Sequence, residues 1–316
     1  MASGLSSRVL KRDHGALAKA ISIVEAGGEP SRKLIRELFP YTGKAFTVGV
    51  TGPTGTGKST LVDKIIEEYR KRDRSVGVLA IDPSSAFTGG ALLGDRVRMM
   101  DHSLEKKVYI RSMASRGDLG GLARAARNTI RVLDAAGMDI VLVETVGAGQ
   151  SEVEIATTVD ATVVVLMPQL GDEIQAFKAG FAEIGDVFVI NKADLANPAK
   201  TIYNIASGLQ ERDGWRPPVH KTVAFKGTGV PAVVDSLDKF QKHLDTKGLR
   251  EKRLRKRIES ELVEAAFSDF YERTVKSLRN GKELDVLIGR VVKLELDPET
   301  AASKLAATFG KVGEKN

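Results

Sequence analysis

The chain has 316 residues, with 48 Lys and Arg against 41 Asp and Glu, for a formal net charge of +7. That length is enough for one large α/β core with appendages. There is no cysteine, so disulfides, thiol catalysis and Cys-ligated zinc are excluded, and no apolar run approaches the ~20 residues of a membrane-spanning helix. The opening MASGLSSRVLKRDHG lacks the apolar core of a signal peptide, which predicts a cytoplasmic protein. Residues Ala16 to Leu38 read as helical, with Leu17, Ala20, Ile21 and Val24 on one face and a break at Gly27-Gly28-Glu29-Pro30. From about Tyr41 to Leu244 strands alternate with helices. The strands are FTVGVT, VGVLAI, VYIRSM, IVLVET, TVVVLM, VFVIN and a stretch near His220 to Val223. These runs are apolar without alternation, as expected where helices cover both faces of a mostly parallel sheet. After Lys247-Gly248 the pattern becomes helical and charged through Lys276, with a turn signal at Asn280-Gly281. A helix over Leu284 to Leu294 follows, and a last one opens with Asp297 as N-cap and Pro298 at its first position. The expected domains are a helical extension over 1–40, an α/β domain over 41–247 and a helical arm over 248–316.

The run Gly52-Pro53-Thr54-Gly55-Thr56-Gly57-Lys58-Ser59 fits G-x-x-x-x-G-K-[ST], and Thr60 continues into a helical pattern with Leu61, Ile65, Ile66 and Tyr69. Glycines there let backbone N–H groups surround a polyphosphate above the positive end of a helix. Lys58 is placed to reach the β- and γ-phosphates, and the Ser59 hydroxyl to bind Mg²⁺. The competing reading is a Gly-rich turn that matches by chance.

Asn191-Lys192-Ala193-Asp194 follows an apolar strand and matches N-K-x-D. A carboxylate at Asp194 accepts both donors of the guanine edge, and adenine offers no such pair, so one residue can discriminate between GTP and ATP. Asn191 is expected to tie the base loop to the phosphate loop, and the Lys192 stem to cover the base plane. Between the motifs, the apolar strand ending at Glu144 stands at the Walker B position, where an acid helps hold Mg²⁺ or its water shell. Capping of the next helix is the alternative. Gly147 could donate its N–H to the γ-phosphate. Ala148 occupies the place where Ras-like enzymes have a water-orienting Gln, and Gln150 comes two residues later. Asp82 and Asp95 are further candidate Mg²⁺ or water contacts. An Asx-Pro turn at Asp82 and an exposed loop acid at Asp95 are the bland readings.

Taken together, VTGPTGTGKST, AIDPSS, GDRVRM, VETVGAGQSE, GDEIQAFKAG and NKAD resemble the MeaB/ArgK GTPases of the SIMIBI class. The resemblance runs in order from about Ala16 to Val234. It implies a GTP-hydrolysing chaperone of an adenosylcobalamin-dependent acyl-CoA mutase, chiefly methylmalonyl-CoA mutase, that gates cofactor loading and protects or reactivates the mutase. By position, Lys58, Asp82, Asp95 and Glu144 form the catalytic set, and Ser59, Asp82, Asp95 and Glu144 the Mg²⁺ set. Gly171 to Lys178, with Gln175 and Lys178, corresponds to a switch relaying nucleotide state to the mutase, alongside Gln150. The C-terminal helices correspond to a dimerisation arm, hence a homodimer. Alternatives are a GTPase metallochaperone, or a kinase or ATPase linked to arginine/ornithine transport.

From Gln241 to Arg257 there are eight Lys and Arg against two acids. Leu254, Ile258 and Leu262 recur at helical spacing and no aromatic interrupts the run, which reads as an amphipathic helix rather than a nucleic-acid surface. His14, His102, His220 and His243 are scattered, and the expectation is surface or loop positions with no metal role.

Overall fold

The computed structural model describes residues 4–82, 102, 105–114, 121–145, 156–168, 180–195, 197–280 and 282–310. These fall into two compact units, divided between Arg250 and Glu251.

The first unit is built on β1 (Phe46–Thr51), β2 (Val76–Asp82), β3 (Val108–Ala114), β4 (Ile140–Glu144), β5 (Ala161–Leu166), β6 (Val187–Ile190) and β7 (Val219–Lys221). All pair in parallel, in the order β3-β2-β4-β1-β5-β6-β7. The predicted α/β class and the positions of all seven strands agree with this. Parallel neighbours require a crossover, and the helices supplying it bury both faces, so every residue of β1, β4, β5 and β6 is buried. Chain order reverses at β1, which has β4 on one side and β5 on the other, leaving a crevice beyond its carboxyl end.

Helix α4 (Lys58–Lys71) packs Leu61, Val62, Ile65, Ile66 and Tyr69 against Phe46, Val48, Val50, Ile140 and Leu142. Burying side chains of this size stabilises by about 1.5–3 kcal/mol each. Arg72, just past its end, ties it to α7 (Val230–Thr246) through Asp235 and Asp238, each at 2.8 Å.

The opposite face carries α5 (Gly121–Ala135) and three N-terminal helices, α1 (Gly4–Leu10), α2 (His14–Ala26) and α3 (Gly28–Leu38). The stripe Leu17, Ala20, Ile21 and Val24 is buried there against Leu79, Leu133 and Val141. Asp13 caps α2 by accepting from Ala16 N at 2.8 Å. Arg12, in the left-handed region at φ 59°, donates from Nε to Ala136 O at 2.9 Å. The break between α2 and α3 is narrower than expected. Only Gly27 (φ 71°) interrupts the helix, and Pro30 sits inside the first turn of α3, where its missing N–H costs no bond. Helix α1 was not anticipated; its Val9 is fully buried and its Ser6 Oγ donates to Glu37 at 2.5 Å. A smaller core joins β5 and β6 to α6 (Ala199–Gly208) through Phe188, Ile190 and Ile205.

The second unit contains the remainder of α8 (Leu249–Asn280), then α9 (Lys282–Val292) and α10 (Pro298–Gly310). Asp297 caps α10, accepting from Thr300 N at 2.9 Å. Along α8, Leu262, Val263, Phe267, Phe270 and Tyr271 are each more than half exposed. Among the described residues, no helix is long and apolar enough to cross a membrane.

Candidate nucleotide site

The loop over 52–57 joins β1 to α4 beneath the point where strand order reverses. Two of its glycines are required by space as well as by backbone angle. Gly52 has φ 134°, and a Cβ there would stand 2.1 Å from Val165 O of β5. Gly57 has φ 88°, and a Cβ there would meet Asn191 Nδ2 at 2.5 Å. The loop is therefore pressed against both β5 and the start of the N-K-x-D segment. Thr54 and Gly55 at its tip are exposed, whereas Thr56 is buried with Oγ1 donating to Pro53 O at 2.9 Å.

Lys58 is 6% exposed, and its Nζ donates to Gly52 O at 2.7 Å and Pro53 O at 3.0 Å. A buried ammonium held by loop carbonyls of its own turn is a cation poised over the loop, at the positive end of α4. One residue on, Ser59 Oγ donates to Glu144 Oε1 at 2.5 Å. The β1–β4 register pairs Val50 with Glu144, which brings the acid to the carboxyl edge of the sheet on the α4 side. Thr60 follows in the first turn of α4, half-buried. Asp82 ends β2; since Ala80 pairs with Glu144, Asp82 lies two residues further along the same edge. Asp95, Gly147, Gln150, Gln175 and Lys178 lie outside the described residues.

Asn191 is the junction of three loops. Its Nδ2 donates to Thr56 O at 2.9 Å, while its Oδ1 accepts from Thr222 Oγ1 at 2.9 Å and Ala224 N at 3.0 Å. It is 2% exposed, so all three bonds form away from water. Lys192 then adopts the left-handed region at φ 55°, with Cε 3.9 Å from where a Gly57 Cβ would stand. Ala193 N donates to Thr222 O at 3.1 Å, and Asp194 follows, exposed. An exposed acid beside a lysine stem, supported from beneath by a buried amide, can receive the donor edge of a purine. Sequence reasoning did not find Thr222 and Ala224. Nothing distinguishes Thr-Val-Ala after a short strand until the fold brings β7 beside β6.

The family model described as methylmalonyl Co-A mutase-associated GTPase MeaB matches residues 17–279. The chain belongs to the MeaB family. A Pyrococcus abyssi protein named as a candidate GTPase is 46% identical over 311 residues, covering 96% of each chain. GTPase ArgK of Escherichia coli is 33% identical, over 86% of this chain and 90% of its own. The mitochondrial methylmalonic aciduria type A homolog of Mus musculus is 37% identical, over 77% of this chain and 64% of its own. A solved structure titled LAO/AO transport system kinase superposes with a TM-score of 0.72 at 24% identity, covering 97% of this chain and 96% of its own, a likeness of fold. Membership makes this chain a P-loop GTPase, one that binds GTP and GDP and hydrolyses GTP.

Proposed function

We propose that this GTPase serves as a chaperone of an adenosylcobalamin-dependent acyl-CoA mutase, most directly a methylmalonyl-CoA mutase, gating cofactor loading and protecting or reactivating its client in the cytoplasm. The observation that carries the reading is the match to a mutase-associated family across residues 17–279, a span that includes the 52–57 loop, Glu144 and the N-K-x-D segment.

In this reading the loop over 52–57 receives the phosphates and Lys58 exchanges its carbonyl partners for the β- and γ-phosphate oxygens. Asp194 reads the guanine edge, the Lys192 stem covers the base, and Asn191 holds the base loop against the phosphate loop. The donor set suits Mg²⁺. Ser59 Oγ and the buried Glu144 carboxylate are hard oxygen ligands 2.5 Å apart, with Asp82 and Asp95 as further acids. When bound, the ion neutralises charge developing between the β- and γ-phosphates. Lys58 would supply positive charge to the β- and γ-phosphate oxygens, and Glu144 would help hold the ion. To Gly147 we assign a backbone N–H donated to the γ-phosphate, and to Gln150 a part in the switch that follows Glu144.

The exposed apolar side chains of α8 support a homodimer through the C-terminal arm over 248–316, since a monomer would leave Phe267, Phe270 and Tyr271 in water. The segment Gly171 to Lys178 serves as the relay to the mutase. The test is to titrate a methylmalonyl-CoA mutase into the protein while following GTP turnover and complex affinity in the GTP and GDP states. Stimulated turnover, and affinity that differs between the states, are expected. Lys178→Ala and Gln175→Ala should remove both while leaving GTP affinity intact, because differential affinity alone can move the equilibrium. Turnover and affinity indifferent to the mutase would overturn the proposal.

A further inference from the structure

His102, expected at a surface or loop position, is 7% exposed and lies against the face of α4 that carries Asp63 and Glu67. Those two acids are one helical turn apart and so share a face. One ligand atom from each of Asp63, Glu67 and His102 lies within 4.8 Å of the others. The imidazole is oriented from behind. Glu105 Oε1 lies 2.8 Å from His102 Nδ1, and Arg70 Nε holds the other Glu105 oxygen at 2.9 Å.

Glu105 thus turns one oxygen to Arg70 and the other to His102 Nδ1, which fixes the orientation of the ring. Nε2 is then turned toward Asp63 Oδ1, 3.4 Å away. A carboxylate behind Nδ1 with Nε2 turned toward further acids is the arrangement that orients a metal-ligating histidine.

We propose that Asp63, Glu67 and His102 form a second cation site, for a first-row transition-metal dication such as Zn²⁺, on the flank of the P-loop helix. One imidazole nitrogen and two carboxylates leave positions for water, and the nitrogen selects against Mg²⁺ and Ca²⁺. Lys64 competes with the metal. Its Nζ lies 3.3 Å from Asp63 Oδ2 and bonds Glu67 Oε1, so an ammonium neutralises the same carboxylates in the absence of metal. Ser59, Asp63 and Glu67 recur every fourth residue, so a metal here lies on the same face of α4 as the hydroxyl that meets Glu144. It also pins the chain entering β3 onto that helix.

The experiment uses the full-length protein with GDP and excess Mg²⁺, so that the nucleotide site is filled. Zn²⁺ is titrated in competition with a chromogenic chelator, and Co²⁺ binding is followed by its visible absorption. One Zn²⁺ per chain is expected. His102→Gln should abolish it together with the cobalt spectrum, and Glu105→Gln should weaken it by about tenfold or more through loss of orientation. Lys64→Met removes the competitor from a position that is not buried and should tighten Zn²⁺ binding. A merely structural charge cluster predicts no gain in that variant. Absence of Zn²⁺ binding in the parent, binding unchanged by His102→Gln, or no gain in Lys64→Met overturns the site.

Discussion

Asn191 Nδ2 and the carbonyl oxygen of Thr56 meet at 2.9 Å, joining the base-reading loop to the phosphate loop through one buried amide. The Thr56 carbonyl has its bond partner on another strand connection, so neither loop is positioned by itself. Asn191→Ala strands the Thr56 carbonyl, the Thr222 hydroxyl and the Ala224 N–H together. An unsatisfied buried group costs about 1–3 kcal/mol. GTP affinity should therefore fall by about one to two orders of magnitude and the thermal midpoint should drop. Calorimetric titration and thermal unfolding check both; a fall in stability alone would place Asn191 in the fold and not in the site.

Asp194 and Lys58 should fail differently. Asp194→Ala is expected to erase the preference for GTP over ATP, since the exposed carboxylate is what adenine cannot satisfy. Lys58→Ala should weaken every triphosphate without changing their ranking. Parallel titrations with GTP, GDP, ATP and ADP read this out, and equal ATP and GTP affinity in the parent protein would contradict the role of Asp194.

Two glycines of the same loop should also separate. Gly52→Ala drives a methyl into Val165 O at 2.1 Å, a backbone atom in the middle of the sheet. With the positive φ added, it should cost at least about 2 kcal/mol and lower the unfolding midpoint. Gly57→Ala meets the Asn191 side chain instead, so its main effect should be lost nucleotide affinity with a smaller change in stability.

Asp139 gives a prediction in pH. Its partial burial opposes ionisation, but Ser75 donates to it from Oγ at 2.6 Å and from N at 2.7 Å, and together these hold the carboxyl below its ordinary value of 3.8. A folded pKa below the unfolded one stabilises above the unfolded pKa and loses that contribution as pH falls through the folded pKa. Asp139→Asn should therefore be less stable than the parent at neutral pH and converge with it in strong acid. Denaturant midpoints from pH 7 downward test this, and a constant gap across the range would be the wrong outcome.

Strands β1, β4, β5 and β6 were legible in the sequence because, buried on both faces, they appear as largely apolar runs without alternation. Helix α10 was legible for a local reason, the Asp297-Pro298 start. Helix α1 was not, because GLSSRVL is one short stretch with little periodicity of its own, and its helicity depends on burying Val9 in the core it shares with α2. The phosphate loop and N-K-x-D segment could be found because their chemistry is contiguous. Thr222 and Ala224 could not, since their value comes only from lying beside Asn191. The burial of His102 was not legible for the same reason. Its neighbours Asp63 and Glu67 are almost forty residues earlier, and they meet because β2 and β3 are adjacent in the sheet.

The pairing of Val50 with Glu144 also makes the site a check on assembly. Side chains alternate across a strand, so a slip of β4 by one residue turns Glu144 to the far face and replaces it beside Ser59 with Val143 or Thr145. Such a chain could still bury most of its apolar surface, but it would have no acid opposite the P-loop hydroxyl. Competence to engage GTP thus reports on strand register. A nucleotide added during refolding, by binding only the correctly registered sheet, would draw the population toward it.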